Sequence, residues 1–265
     1  MGIWCLNLDA LAKDRPVYLM DIIGFGRSSR PRFTGSSTEN EKKIINSIEL
    51  WRKYLKLDEI FLLGHSMGGY LATSYTIAHP ESVKLLILCD PWGFSDKFEY
   101  PPAWIKVLSF LFDVFNFNPL AYLRCLGPIG PLYIRAARDD ILKHFRYYLK
   151  DNSIMATYIY QCNAHPNSTG EDAFYSMVGG IGWAKNPMIR RVTELKDDIP
   201  IKIMYGSNTW MDTSIGNRIK DLKPDTFVDV ELVDQSQHHI YADQAETFNE
   251  IVNHICESVE NKDIL

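Results

Sequence analysis

A chain of 265 residues with 46% apolar and 23% charged residues is long enough for one large α/β domain or two small ones, and its apolar share is that of a protein with a real core. The net charge of -5, with no basic block, argues against nucleic acid as a partner. The five cysteines, Cys5, Cys89, Cys125, Cys162 and Cys256, are scattered without zinc-type pairing, so they read as reduced thiols of a cytosolic-type compartment, and neither a metal nor a cofactor is indicated.

The opening stretch MGIWCLNLDALAKDRP lacks the basic start and apolar core of a secretory signal, and Leu6 stands where a myristoylation site needs Ser or Thr. The longest apolar run, 104–123, is interrupted by Lys106, Asp113, Asn116, Asn118 and Pro119 and falls short of a membrane span. Five short apolar runs bounded by turn residues predict buried strands at 16–22, 59–65, 83–90, 200–206 and 227–234. Helical periodicity fills the gaps. Residues 40–57 place Ile44, Ile45, Ile48, Trp51 and Leu55 on one face, a helix follows residue 66, and 246–260 repeats Phe248, Ile251, Val252, Ile255 and Val259 at helical spacing. Strand–helix alternation predicts an α/β fold with a mostly parallel central sheet and helices on both faces. The stretch 94–197 breaks the alternation with aromatics, helix formers, proline and glycine, and reads as a helical lid inserted into a core of 1–93 and 198–265.

Gly64-His65-Ser66-Met67-Gly68 sits between a predicted strand and a predicted helix. That is the context of a nucleophile elbow, in which a strained turn lifts the serine hydroxyl to a helix N-terminus and the N–H of Met67 faces a developing oxyanion. A serine in a glycine-rich turn is by itself more often structural than catalytic. A base and an orienting acid downstream, in the order Ser, acid, His, shift that balance toward acyl transfer. The strand at 227–234 leads into QSQHHIYADQAETF, which puts His238 or His239 just before the last helix. His238 with Asp243, Glu246 and Phe248 fits the common hydrolase register, so His238 is the expected base. Asp212, after the strand at 200–206, is the expected acid, because Asn208 at the customary position is uncharged. Asp243 reads equally as a helix N-cap or as a functional group. His65 and His239 read as packed or supporting histidines, and His144, His165 and His254 as surface residues. Asp90-Pro91-Trp92-Gly93 ends a strand at the same edge and shapes the pocket.

The stretches RPVYLMDIIGFGRSSRPRF, LLGHSMGGYLATSY, LILCDPWGF, NPMIRR and HHIYADQAETFNEIV resemble alpha/beta-hydrolase domain-containing proteins four and five across nearly the whole chain. The resemblance implies an alpha/beta-hydrolase fold and a lipase acting on N-acyl phosphatidylethanolamine or lysophospholipids. Its alternatives are a lysophosphatidic acid acyltransferase, whose signature maps onto His238 and Asp243, and a non-catalytic lipid-droplet protein that activates a lipase. Serine at 66, where the activator branch carries asparagine, favours the hydrolase. The implied partners are a phospholipid or lysophospholipid substrate, a lipid-droplet or membrane surface and a lipase. The implied location is cytoplasmic, peripheral on lipid droplets, the endoplasmic reticulum or mitochondria. Relatives open with strands ending in a His-Gly-rich loop that gives the second oxyanion N–H. The chain starts after that loop, so the expectation is a sheet lacking its N-terminal strands.

Overall fold

The computed structural model describes residues 1–96, 119–164, 167, 169–179 and 182–264. In chain order the main elements are α1 (Ser37–Tyr54), β1 (Ile60–His65), α2 (Met67–Ala78) and β2 (Val83–Cys89). Then come α3 (Pro119–Cys125), α4 (Gly130–Ala137), α5 (Asp139–Leu149), α6 (Asn152–Asn163) and α7 (Thr169–Met177). The chain closes with β3 (Ile201–Gly206), α8 (Ser214–Leu222), β4 (Val228–Val233) and α9 (Ala245–Glu260). The chain divides into two units. One contains the described residues of 1–40 and 98–182, the other those of 41–97 and 183–265.

The second unit holds a four-stranded sheet in the order β1-β2-β3-β4, parallel throughout. Its central strands show why their sequences are continuously apolar. Every residue of β3 is buried, and so is every residue of β2 except Lys84, whereas the outer strands β1 and β4 are mostly half-buried. Parallel strands covered on both faces bury all their side chains. The one charge inside β3, Lys202, is 4% exposed and donates to Asp229 and Glu231 of β4, each at 2.5 Å, so a buried ammonium is paired. Helix α2 packs on β1 and β2, α8 on β4 and α9 on β2. Register places His65 beside Cys89, Cys89 beside Met204 and Met204 beside Glu231. The carboxyl ends of all four strands therefore lie along one edge, with β3 and β4 running two residues beyond β1 and β2, and open α/β sheets place their sites at that edge.

Helix α1 starts two residues past a turn glycine through a reciprocal cap. The Ser36 N–H donates to Glu39 Oε2 at 2.7 Å, and the Glu39 N–H donates back to Ser36 Oγ at 3.4 Å, which is a capping box. Its apolar stripe buries Ile44, Ile45 and Ile48, as the periodicity predicts.

The first unit is helical. Leu123, Ile134, Ile141, Leu142, Phe145, Met155, Ala173 and Met177 form its core. The segment before α1 is tied to these helices. The Gly2 N–H donates to Tyr158 Oη at 2.8 Å, the Gly170 N–H donates to the Gly24 carbonyl at 3.1 Å, and Asn40 Nδ2 donates to Ser176 Oγ at 2.9 Å. Residues 16–22, expected to be a strand, are not one: they belong to no regular element. β-branched content makes a strand only where a neighbouring chain completes the ladder, and the sheet order has no place occupied by this segment. Residues 97–118 of the apolar run 104–123 and of the expected lid lie outside the described residues. Among the described residues no helix is long and apolar enough to cross a membrane.

Candidate active site

Ser66 sits where β1 turns into α2 with φ 54° and ψ -122°, a conformation that costs a non-glycine residue about 1–3 kcal/mol and persists only where its surroundings enforce it. Here they do. The Ser66 N–H donates to the Cys89 carbonyl at 3.1 Å, and the Ser66 carbonyl accepts from Trp92 N–H at 3.1 Å. The elbow is clasped to the end of β2 at both of its peptide groups. A Cβ on Gly64 would stand 2.3 Å from the Gly68 carbonyl oxygen, and one on Gly69 would stand 2.8 Å from Pro91 Cβ. Strand and helix thus approach closely only because these two positions lack side chains. The motif's own second glycine, Gly68, meets nothing within 4 Å, so the packing demand falls on Gly69 instead.

His238 lies in the loop between β4 and the short helical turn Ile240–Asp243. Its Nε2 is 3.0 Å from Ser66 Oγ, and its Nδ1 is 2.5 Å from Asp90 Oδ2. A carboxylate only accepts, so Nδ1 carries the proton and Nε2 offers its lone pair to the serine O–H. Asp90 follows β2 directly, with φ 44° and no exposed surface. Its Oδ2 also accepts from Thr209 Oγ1 at 2.6 Å, and its Oδ1 accepts from the Gly206 N–H at 3.3 Å. A buried carboxylate so fully hydrogen-bonded is held in one orientation. Burial, and next the charge of Asp90, push the Cys89 thiol well above its ordinary range. Burial, followed by the charges of Asp90 and Asp212, does the same to the Tyr205 phenol.

The acid expected from the sequence is elsewhere. Asp212 is exposed and turns its Oδ1 toward the start of α8, accepting from the Ser214 N–H at 3.1 Å and the Ser214 hydroxyl at 2.6 Å. The carboxylate that meets His238 is Asp90, which the sequence reading assigned to pocket shape. The physical reason lies in the surroundings. Asp90 is enclosed by the Thr209 hydroxyl and the Gly206 N–H, which aim it at the imidazole, while Asp212 is committed to Ser214. The signal that could have found it was an aspartate directly ending the strand that pairs with the nucleophile strand.

Met67 opens α2, so its N–H has no acceptor within the helix and stands at the positive end of the helix dipole. Asp243 Oδ2 accepts from the Gln237 N–H at 2.7 Å, bracing the loop one residue ahead of His238. The Asn208 N–H donates to the Ser236 carbonyl at 2.9 Å, tying the end of β3 to the same loop. Three rings surround the His238 imidazole. The His65 centroid is 4.6 Å away, and those of Trp210 and His239 are each 5.2 Å away. Of the remaining histidines, His254 is exposed, His144 is half-buried and His165 lies outside the described residues.

Residues 1–245 match the family model described as alpha/beta hydrolase fold. The chain is 43% identical over 266 aligned positions to the (lyso)-N-acylphosphatidylethanolamine lipase of Homo sapiens, covering 98% of this chain and 77% of that protein. It is 41% identical to the 1-acylglycerol-3-phosphate O-acyltransferase ABHD5 of Rattus norvegicus, covering 98% of this chain and 75% of that protein. Among solved structures it superposes on the serine hydrolase CCSP0084 of Cycloclasticus zankles with a TM-score of 0.69 and 16% identity, over 97% of this chain and 85% of that one, a likeness of fold alone. An identity above 40% along nearly the whole chain to two lipid-acting relatives places it among them: the protein belongs to the alpha/beta-hydrolase fold family, in the branch of alpha/beta-hydrolase domain-containing proteins four and five.

Proposed function

We propose that the protein is a serine hydrolase of lipid carboxylic esters, with Ser66 as nucleophile, His238 as general base and acid, and Asp90 as the orienting carboxylate. The observation that carries this reading is the unbroken chain from Ser66 Oγ through the imidazole to Asp90, with steps of 3.0 and 2.5 Å. Ser66 Oγ attacks the acyl carbonyl carbon while its proton passes to His238 Nε2. The carbonyl oxygen becomes an oxyanion beside the Met67 N–H. Asp90 remains ionised and stabilises the imidazolium through Nδ1. Collapse breaks the ester C–O bond, and Nε2 returns the proton to the departing alcohol. Water then repeats the sequence on the acyl-enzyme, releasing a fatty acid and freeing Ser66.

The substrate class follows the relatives. A protein 43% identical to a (lyso)-N-acylphosphatidylethanolamine lipase is expected to cleave acyl esters of phospholipids or lysophospholipids at a membrane or lipid-droplet surface. The second reading is acyl transfer, supported by the 41% identity to a 1-acylglycerol-3-phosphate O-acyltransferase. It differs only in whether a lysolipid hydroxyl, rather than water, takes the acyl group from Ser66.

A fluorophosphonate probe tests the nucleophile. The wild type takes the label and Ser66→Ala does not; an unlabelled wild type overturns the enzyme reading in favour of a non-catalytic lipase regulator. Turnover then separates the two chemistries. N-acyl phosphatidylethanolamine yields free fatty acid if the protein is a lipase, and lysophosphatidic acid with acyl-CoA yields phosphatidic acid if it is a transferase.

A further inference from the structure

The nucleophile and the base belong to strands that are not neighbours. β1 and β4 are the two outer strands of the sheet, with β2 and β3 between them. At roughly 4.8 Å per strand, no ladder hydrogen bond relates the end of one to the end of the other. The loop carrying His238 must therefore reach back across two strands to Ser66 and be held there by something outside the ladders. His65, the last residue of β1, supplies such a tie: its Nε2 is 2.8 Å from the main-chain carbonyl of His238.

We propose that His65 is a positioning residue that keeps His238 at proton-transfer distance from Ser66 by donating its Nε2–H to the His238 carbonyl. The inference rests on the hydrolase reading above and deepens it. Residues 65 and 66 are consecutive, so two bonds link one short segment to one residue across the sheet. The side chain of 65 grips the main chain of 238 at 2.8 Å, and the side chain of 238 meets the hydroxyl of 66 at 3.0 Å. A shift of the loop that would lengthen the second bond has to break the first.

The chemistry suits the position. A carbonyl only accepts, so Nε2 of His65 is protonated and the ring is the neutral Nε2–H tautomer. His65 is surrounded by the rings of His238, His239 and Tyr241, at 4.6, 5.4 and 5.0 Å. Burial, with the neighbouring His238 and His239, holds its pKa well below the ordinary imidazole range. It therefore stays neutral when His238 takes up the serine proton, and no second cation opposes the imidazolium.

The contrast between His65→Gln and His65→Leu tests this. Glutamine carries an N–H donor to a similar reach; leucine fills the space without one. The readouts are the rate of fluorophosphonate labelling, kcat and KM on a short p-nitrophenyl ester, and the thermal midpoint. The leucine variant is expected to label and turn over about 10–100-fold more slowly with KM nearly unchanged, the size of effect that a small misplacement of a reacting group produces. Glutamine is expected to recover most of that loss. A leucine variant as fast as wild type overturns the inference, as does a glutamine variant as slow as the leucine one. Should the leucine variant fail to fold, His65→Asn, whose shorter amide does not reach the carbonyl, takes its place against glutamine, and equal rates then overturn it. A labelled wild type with an equally reactive leucine variant sinks this inference alone. An unlabelled wild type sinks the hydrolase reading as well.

Discussion

The turn after β2 and the turn after β3 each present an aspartate at the carboxyl edge of the same sheet, and the two have opposite fates. Asp90 has no exposed surface and accepts from the His238 imidazole, the Thr209 hydroxyl and the Gly206 N–H. Asp212 is exposed and accepts from the Ser214 N–H and hydroxyl. The lesson is that the carboxylate that meets the imidazole is selected by surroundings rather than by its place in the chain. One acid is enclosed by donors that fix its direction; the other is solvated and serves the start of a helix.

The strongest way to break that comparison is Asp90→Asn. Asparagine offers an amide where the imidazole needs an acceptor, so the wrong tautomer is favoured and kcat is expected to fall by about 10⁴-fold, measured on the lipid ester or by labelling rate. Activity within tenfold of wild type would remove Asp90 from the relay. Thr209→Val sharpens the contrast. It deletes one donor to Asp90 Oδ2 and the acceptor of the Met211 N–H at nearly constant shape. We expect kcat to drop about 3–10-fold at unchanged KM, with roughly 1 kcal/mol of lost stability in denaturant unfolding. Asp212→Ala should do least. Turnover is expected to stay within about twofold, with about 0.5–1 kcal/mol lost through the weakened start of α8. A hundredfold loss in that variant would return the acid role to Asp212.

Legibility followed the same division. Ser66 was readable because G-x-S-x-G between an apolar strand and a helix is a local pattern whose backbone needs are written in consecutive residues. The place after the last strand and ahead of the last helix offered His238 or His239, and the hydrolase register of Asp243, Glu246 and Phe248 chose His238. Asp90 was not, because it ends the run VKLLILCD and its role arises from a contact with a residue 148 positions away. The sequence offers an aspartate after each of two strands, and only the assembled sheet decides which one reaches the imidazole. The strands at 59–65, 83–90, 200–206 and 227–234 were legible to within a residue or two from their buried apolar runs. The segment 16–22 has the same composition and forms no strand, because pairing is a property of two segments and composition a property of one.

Trp210 stands beside this relay with 72% of its surface open to solvent, its ring 5.2 Å from that of His238. With Asp90 meeting the imidazole, the turn after β3 contributes its Thr209 hydroxyl to that carboxylate and leaves its indole outside the hydrogen-bonded chain. Its bulky indole is thereby released from the chemistry it adjoins. Mutational drift at Trp210 can alter what lies against the imidazole while the bonds from Ser66 through His238 to Asp90 stay as they are.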